Sequence, residues 1–266
     1  MDLSPLDLDP RTRAFYVDAM RILDHARVET LVGGAYALAH HADIVRHTKD
    51  FDVFVRPRDV DRARAAFESA GYRTEAVFPH WLCKAFMPRS DAFVDIIYGS
   101  GNGVCQVDDE WFDNAATAHV FDRRARLVPA EEAIWTKAFV QERERFDGAD
   151  IAHVLHQRGR ELNWPRLLNR FRGHEPVLLA HLILFQYIYP DARENVPAAV
   201  IEQLYQLAVE GDDPPQQKLC RGTLLSRAQY LVDIRERGYH DARLAPTGTM
   251  RPEDVAHWTA AIGTIR

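Results

Sequence analysis

The run Asp50-Phe51-Asp52-Val53-Phe54-Val55 constrains the fold more tightly than any other stretch of the chain. It alternates polar and apolar residues and then turns wholly apolar, which predicts a strand whose first half faces solvent or a ligand. Residues two apart on a strand share a face. Asp50 and Asp52 therefore present two carboxylates side by side, and such neighbours repel unless a cation lies between them. Magnesium suits the position, because it prefers carboxylate oxygen and commonly bridges to substrate phosphates.

Two further features extend this reading. Thr30-Leu31-Val32 is a short apolar run that stops at Gly33-Gly34, and Ala35 to His41 is rich in helix formers. That is a strand, a glycine turn and a helix start; glycine lets the backbone approach a phosphate, and helix N-terminal amides favour an anion. The second feature is Asp95, which sits between Val94 and Ile96 in the apolar run Phe93 to Tyr98. A buried lone carboxylate is costly. Pairing across a sheet with Asp50 and Asp52 accounts for it, and three carboxylates can hold two ions for an in-line displacement.

The rest of the chain has two characters. Residues after Pro10 show helical periodicity, Asp59 to Ala70 reads as a helix with Gly71 at its C-terminal end, and Tyr72–Phe78, Trp81–Met87, Ala92–Tyr98 and Arg124–Val128 read as strands. Gly99 to Gly103 must be a loop. From Pro129 the patterns are helical: Glu131–Glu144, Ile151–Gln157, Trp164–Phe171, Val177–Tyr189 and Ala198–Val209, with a break at Gly211 to Pro215. The expectation is an α+β protein: a small mixed sheet flanked by helices over residues 1–128, then a mostly helical domain over 129–266.

Gly33-Gly34, Asp50-x-Asp52 and Asp95 together resemble the active-site signature of the polymerase-β-like nucleotidyltransferases. Thr48-Lys49-Asp50-Phe51-Asp52 is similar to the bacterial branch with aminoglycoside and lincosamide nucleotidyltransferases and abortive-infection toxin enzymes. Lys137 to Asp150 is similar to the Lys, Arg and Asp pattern that opens the helical domain in that branch. The resemblance spans about Leu31 to Leu155. It implies transfer of a nucleoside monophosphate from a nucleoside triphosphate to an acceptor hydroxyl, with pyrophosphate leaving. Asp50, Asp52 and Asp95 would be catalytic and would ligate two magnesium ions, with Asp95 helping to deprotonate the acceptor. Gly33, Gly34, Lys49 and Lys137 would hold the triphosphate, and Arg143 would pair with Asp147. The chain departs from the pattern at Ala35, where many members carry serine; this leaves open a non-catalytic nucleotide-binding or regulatory protein on the same scaffold.

Composition narrows the alternatives. The formal net charge is −6, which does not suggest a strongly basic nucleic-acid binder. Five arginines between Arg158 and Arg172 read as a solvated face or an RNA contact. The acceptor is thus open among a small molecule, a tRNA 3′ end and a protein. Cys83, Cys105 and Cys220 form no disulfide pattern. The N-terminal residues lack the features of a signal peptide. Val177 to Tyr189 falls short of the roughly 20 residues that span a bilayer. The expected location is the cytoplasm, without a membrane partner. His40, His41 and His47 lack zinc-site spacing, and Cys83 reads as a buried small hydrophobe.

Overall fold

The computed structural model describes residues 8–45, 48, 50–210 and 218–261. Lys49, His47 and the break at Gly211 to Pro215 lie outside the described residues. The chain divides at Pro129 into two compact units.

The first unit opens with α1 (Pro10–His25), begun by Asp9, whose carboxylate accepts from the Thr12 amide at 2.9 Å, and by Pro10 in the first turn. Then follow β1 (Leu31–Val32), α2 (Gly34–Ala42), β2 (Phe51–Phe54), α3 (Val60–Ser69), β3 (Arg73–Phe78), β4 (Leu82–Phe86), β5 (Phe93–Ile97), α4 (Asp109–Asp113), β6 (Ala116–Val120) and β7 (Arg123–Leu127). The described strands form one mixed sheet in the order β3-β4-β5-β2-β1-β7-β6. Pairs β2/β5 and β1/β7 are parallel and the rest antiparallel.

Alternation assigns each strand residue to a face. Phe51, Val53, Val94, Ile96, Cys83 and Ala85 join α1 and α3 side chains in one buried cluster. Burying a side chain such as Phe67 or Leu23 there contributes roughly 1.5–3 kcal/mol. The intervening residues, Asp52, Asp95 and Lys84, take the other face.

Strand β6 and helix α4 were not expected from sequence. The turn joining β6 to β7 is Phe121-Asp122, both at positive φ (53° and 60°). A two-residue hairpin of this kind usually carries Asn-Gly or Asp-Gly, so the usual signal is missing. Phe121 is held in the strained conformation because its ring is buried among Tyr16, Tyr36 and Phe51, with centroids 5.5–5.9 Å away.

The second unit contains α5 (Ala130–Ala138), α6 (Gly148–Arg158), α7 (Trp164–Arg170), α8 (Glu175–Ile188), α9 (Ala198–Glu210), α10 (Leu231–Arg235), α11 (Pro252–Ala260) and a two-residue ladder of β8 (Leu219–Cys220) with β9 (His240–Asp241). Among the described residues no helix is long and apolar enough to cross a membrane. The helix expected to reach Glu144 ends at Ala138. Tertiary bonds divert the backbone beyond it: the Gln141 amide donates to the Leu225 carbonyl, and Asp147 to Val140, closing a short bridge between Gln141 and Phe146. No glycine or proline marks that stop in the sequence.

The arginine-rich segment is also not a plain solvated face. Arg166 and Arg170 are nearly buried and converge on Glu131 and the fully buried Glu132; Arg170 Nε donates to Glu132 Oε1 at 3.0 Å. Arg158 pairs with Glu161 and Arg160 with Glu194. Burial pushes the Glu132 carboxyl up, and the two arginines only partly offset it. Removing one partner from such a network strands the others, at a cost of roughly 3–5 kcal/mol. Glu132→Leu is therefore expected to lower unfolding free energy by about that amount in a urea titration. A loss under about 1 kcal/mol would show that water already reaches the arginines.

His181 in α8 donates from Nε2 to the Ala138 carbonyl at 3.0 Å. Burial lowers its pKa below the ordinary 6.5, outweighing that bond, and His174 is lowered likewise by burial and by Arg221. A depressed histidine favours folding while it is neutral. The contribution is complete above 6.5 and is lost as pH falls through the folded value. Urea midpoints should drop between about pH 7.5 and about pH 5.5, and His181→Gln should flatten that drop. An unchanged slope in the variant would assign the effect elsewhere.

Candidate active site

The carboxylates are brought together by the parallel pairing of β2 with β5, in which Asp52 is the register partner of Asp95. Asp50 lies one residue before β2 and is exposed, its amide accepted by Thr48 Oγ1 at 3.2 Å. Burial, and then the charges of Asp50, Asp52 and Asp95 together, raise the Tyr16 phenol. Burial also raises the Asp95 carboxyl; Lys84 opposes that rise and Asp50 adds to it.

The glycine turn packs directly against this group. Gly33 donates its amide to the Asp52 carbonyl at 3.0 Å, tying the turn to β2. Gly34 begins α2 at φ +53°, and a Cβ built there would stand 1.8 Å from Asp52 Oδ2. A Cβ on Gly33 would meet the Phe54 ring at 2.2 Å. Glycine is thus required at both positions by the neighbouring strand, and the Asp52 carboxylate lies against the N-terminal end of α2, where the helix dipole favours an anion.

Lys84 was not identified from sequence. It is the β4 register partner of Asp95, and its Nζ lies 2.7 Å from Asp95 Oδ1. The signal that singled out Asp95, a charge inside an apolar β-prone run, also marks Lys84 within Trp81 to Met87. The adjacent Cys83 points to the opposite face, and burial raises its thiol. A cavity of about 430 Å³ lined in part by Cys83 and Tyr98 belongs to that opposite face, away from the carboxylates.

Among the described residues no three His, Cys, Asp or Glu side chains form a ready cage for an ion. The donor chemistry nonetheless fits magnesium: carboxylate oxygens on adjacent strands, two of them from side chains only part-buried. His41 is a buried anchor that donates from Nε2 to the Val128 carbonyl at 2.8 Å.

With this geometry in view, the profile of a family described as uncharacterised nucleotidyltransferase matches residues 24–186. The chain belongs to this nucleotidyltransferase family. Comparison with curated proteins finds no match. Among solved structures, the nucleotidyltransferase is similar to the antibiotic-resistance factor ANT(2'')-Ia in solution, at 16% identity over 65% of this chain and 98% of that one, TM-score 0.46. It is also similar to the lincomycin-bound lincosamide adenylyltransferase LnuA, at 13% identity over 55% and 96%, TM-score 0.38. A third is an antigenic nucleotidyltransferase-like protein from Paracoccidioides brasiliensis, at 14% identity over 72% and 96%, TM-score 0.43.

Lys137 of the nucleotidyltransferase sits on α5, its Nζ 2.7 Å from Asp150 Oδ2 and 3.2 Å from Asp147 Oδ2. Asp147 is bonded by Arg145, not by Arg143, whose guanidinium pairs with Glu144 at the surface. Burial raises the Asp147 carboxyl, but the bonds from Arg145 and Lys137 prevail and hold it below its ordinary value.

Gly71 supplies an internal control for the glycine turn, because it has φ +87° with nothing within 4 Å of an added Cβ. Alanine at either glycine pays roughly 1–2 kcal/mol of left-handed backbone strain. Gly34→Ala should cost more than Gly71→Ala in chemical denaturation, the excess reporting the displaced Asp52 carboxylate. Equal costs would show that Asp52 swings away freely.

Proposed function

We propose that the chain transfers a nucleoside monophosphate from a nucleoside triphosphate to the hydroxyl of a small-molecule acceptor, in a reaction that requires magnesium. The adjacency of Asp52 and Asp95 across β2 and β5, beside the Gly33-Gly34 turn, carries this reading. The net charge of −6 and the internal pairing of Arg158, Arg160, Arg166 and Arg170 favour a small acceptor over RNA.

Asp50, Asp52 and Asp95 are the residues that would hold magnesium, which when bound neutralises phosphate charge and orients the triphosphate for in-line displacement. The acceptor oxygen forms a bond to the α-phosphorus as the bond to pyrophosphate breaks. Asp95, raised by burial, is the group suited to take the acceptor's proton. The N-terminal amides of α2 offer hydrogen bonds to phosphate oxygens. Lys137, held by Asp147 and Asp150, remains a proposed triphosphate contact only if it exchanges those partners. Lys49 is a further proposed triphosphate contact, on resemblance alone.

Asp52→Asn should lower transfer at least about a hundredfold, since such metal contacts are worth several kcal/mol, while circular dichroism stays unchanged. The assay incubates the protein with each labelled triphosphate and a total cell extract, then separates small-molecule, RNA and protein fractions. Label in the small-molecule fraction is the expected result; label in RNA or protein would overturn the acceptor class, and full activity in the variant would remove Asp52 from the site. Ala35, which lacks the serine hydroxyl, favours a second reading as a nucleotide-binding protein without transfer. Tight binding of ATP with magnesium in calorimetry, without pyrophosphate release, would support that reading.

A further inference from the structure

Helix α8 is apolar on every side, and the chain covers only one of them. Leu178, His181, Leu182 and Phe185 recur at helical spacing and are buried, on a helix that packs against α5, α6 and α9. The opposite stripe, Ile183, Leu184, Tyr187 and Ile188, stays in water, with Tyr187 83% exposed. A helix that is hydrophobic all round is ordinarily a buried one. Helix α9, beside α8, adds Tyr205 and Val209, both more than half exposed. We propose that this face of the second unit is the contact between two copies of the chain, related by a two-fold axis that crosses α8 beside Tyr187. The proposal is independent of the reading of the carboxylates.

Area and charge select this occupant. Counting a fully exposed aromatic at about 150–250 Å² and an aliphatic at somewhat less, the six side chains leave on the order of 500 Å² of apolar surface in water. About 65% of a homodimer interface is apolar, so the patch corresponds to roughly 800 Å² per copy, the size of a standard stable interface. No Asp, Glu, Lys or Arg lies between Glu175 and Asp191. A two-fold contact sets each group near the axis against its own copy, where like charges repel. For a chain of net charge −6, an uncharged face removes that penalty. The same residues argue against a lipid surface. Glu175 to Glu210 holds five acidic residues against Arg193 alone, whereas helices that lie on membranes carry Lys and Arg on their polar face.

The test is sedimentation equilibrium of the full chain at roughly 50 µM, within the range where interfaces of this size associate. Wild type should sediment near twice the 30.4 kDa of one chain. Tyr187→Glu puts a charge beside the axis and should weaken the dimer at least about thirtyfold, the effect expected of a central aromatic. Ile183→Gln is a milder second probe and should weaken it less, in the same direction. Val232→Glu, at an exposed position of α10 outside the patch, should leave the dimer unchanged. Circular dichroism checks folding; if Tyr187→Glu fails to fold, Ile183→Gln and the wild-type mass decide. Wild type sedimenting as one chain would overturn the proposal. So would an undiminished dimer in folded Tyr187→Glu, or equal dissociation by Val232→Glu, because the contact would then lie elsewhere or respond to any added charge. Monomeric wild type that floats with phosphatidylglycerol vesicles would overturn it as well and assign the face to lipid.

Discussion

The parallel pairing of β2 with β5 is the constraint on which the first unit depends. Its register sets Phe51 and Val53 beside Val94 and Ile96 on the buried face, and by the same alternation sets Asp52 beside Asp95 on the other. A slip of one residue would turn carboxylates into the core and hydrophobic side chains out. The hydrophobic cluster beneath the sheet therefore fixes the geometry of the acidic group. Core packing and chemistry are two faces of a single register.

The glycine turn illustrates the same coupling. Sequence reasoning assigned Gly33-Gly34 to close approach of a phosphate. The structure adds a nearer reason: a Cβ at Gly34 would overlap the Asp52 carboxylate, and one at Gly33 would overlap Phe54. The two reasons are compatible: the Gly33 amide is committed to the Asp52 carbonyl, and the amides that favour an anion are those that begin α2. In the second unit, charge is used differently. Glu131, Glu132, Arg166 and Arg170 are neutralised among themselves in the interior, where desolvated ions must be fully partnered. That pairing takes Arg166 and Arg170 out of the basic surface that the arginine run suggested.

Several elements were legible from sequence because their signals are local. The amphipathic period of α1, the β2 alternation and the left-handed Gly71 after α3 each follow from a few adjacent residues. The failures were non-local. β6 hid because Phe121 and Asp122 adopt positive φ under the pull of an aromatic cluster. α5 stopped early because the backbone beyond Ala138 found tertiary partners, including Leu225. Lys84 went unremarked because its partner lies on the next strand and not within its own segment.

The sequence by itself determined which residues are candidates for the chemistry, acidic groups at strand spacing and a glycine pair between strand and helix, and it marked the change to helical periodicity near Pro129. These are properties of local period and residue type. Only the tertiary structure decided that β5 adds beside β2, that Asp52 therefore meets Asp95, and that Lys84 joins them from β4. Strand order and register are set by burial of apolar faces drawn from distant segments, and no window of adjacent residues contains that information.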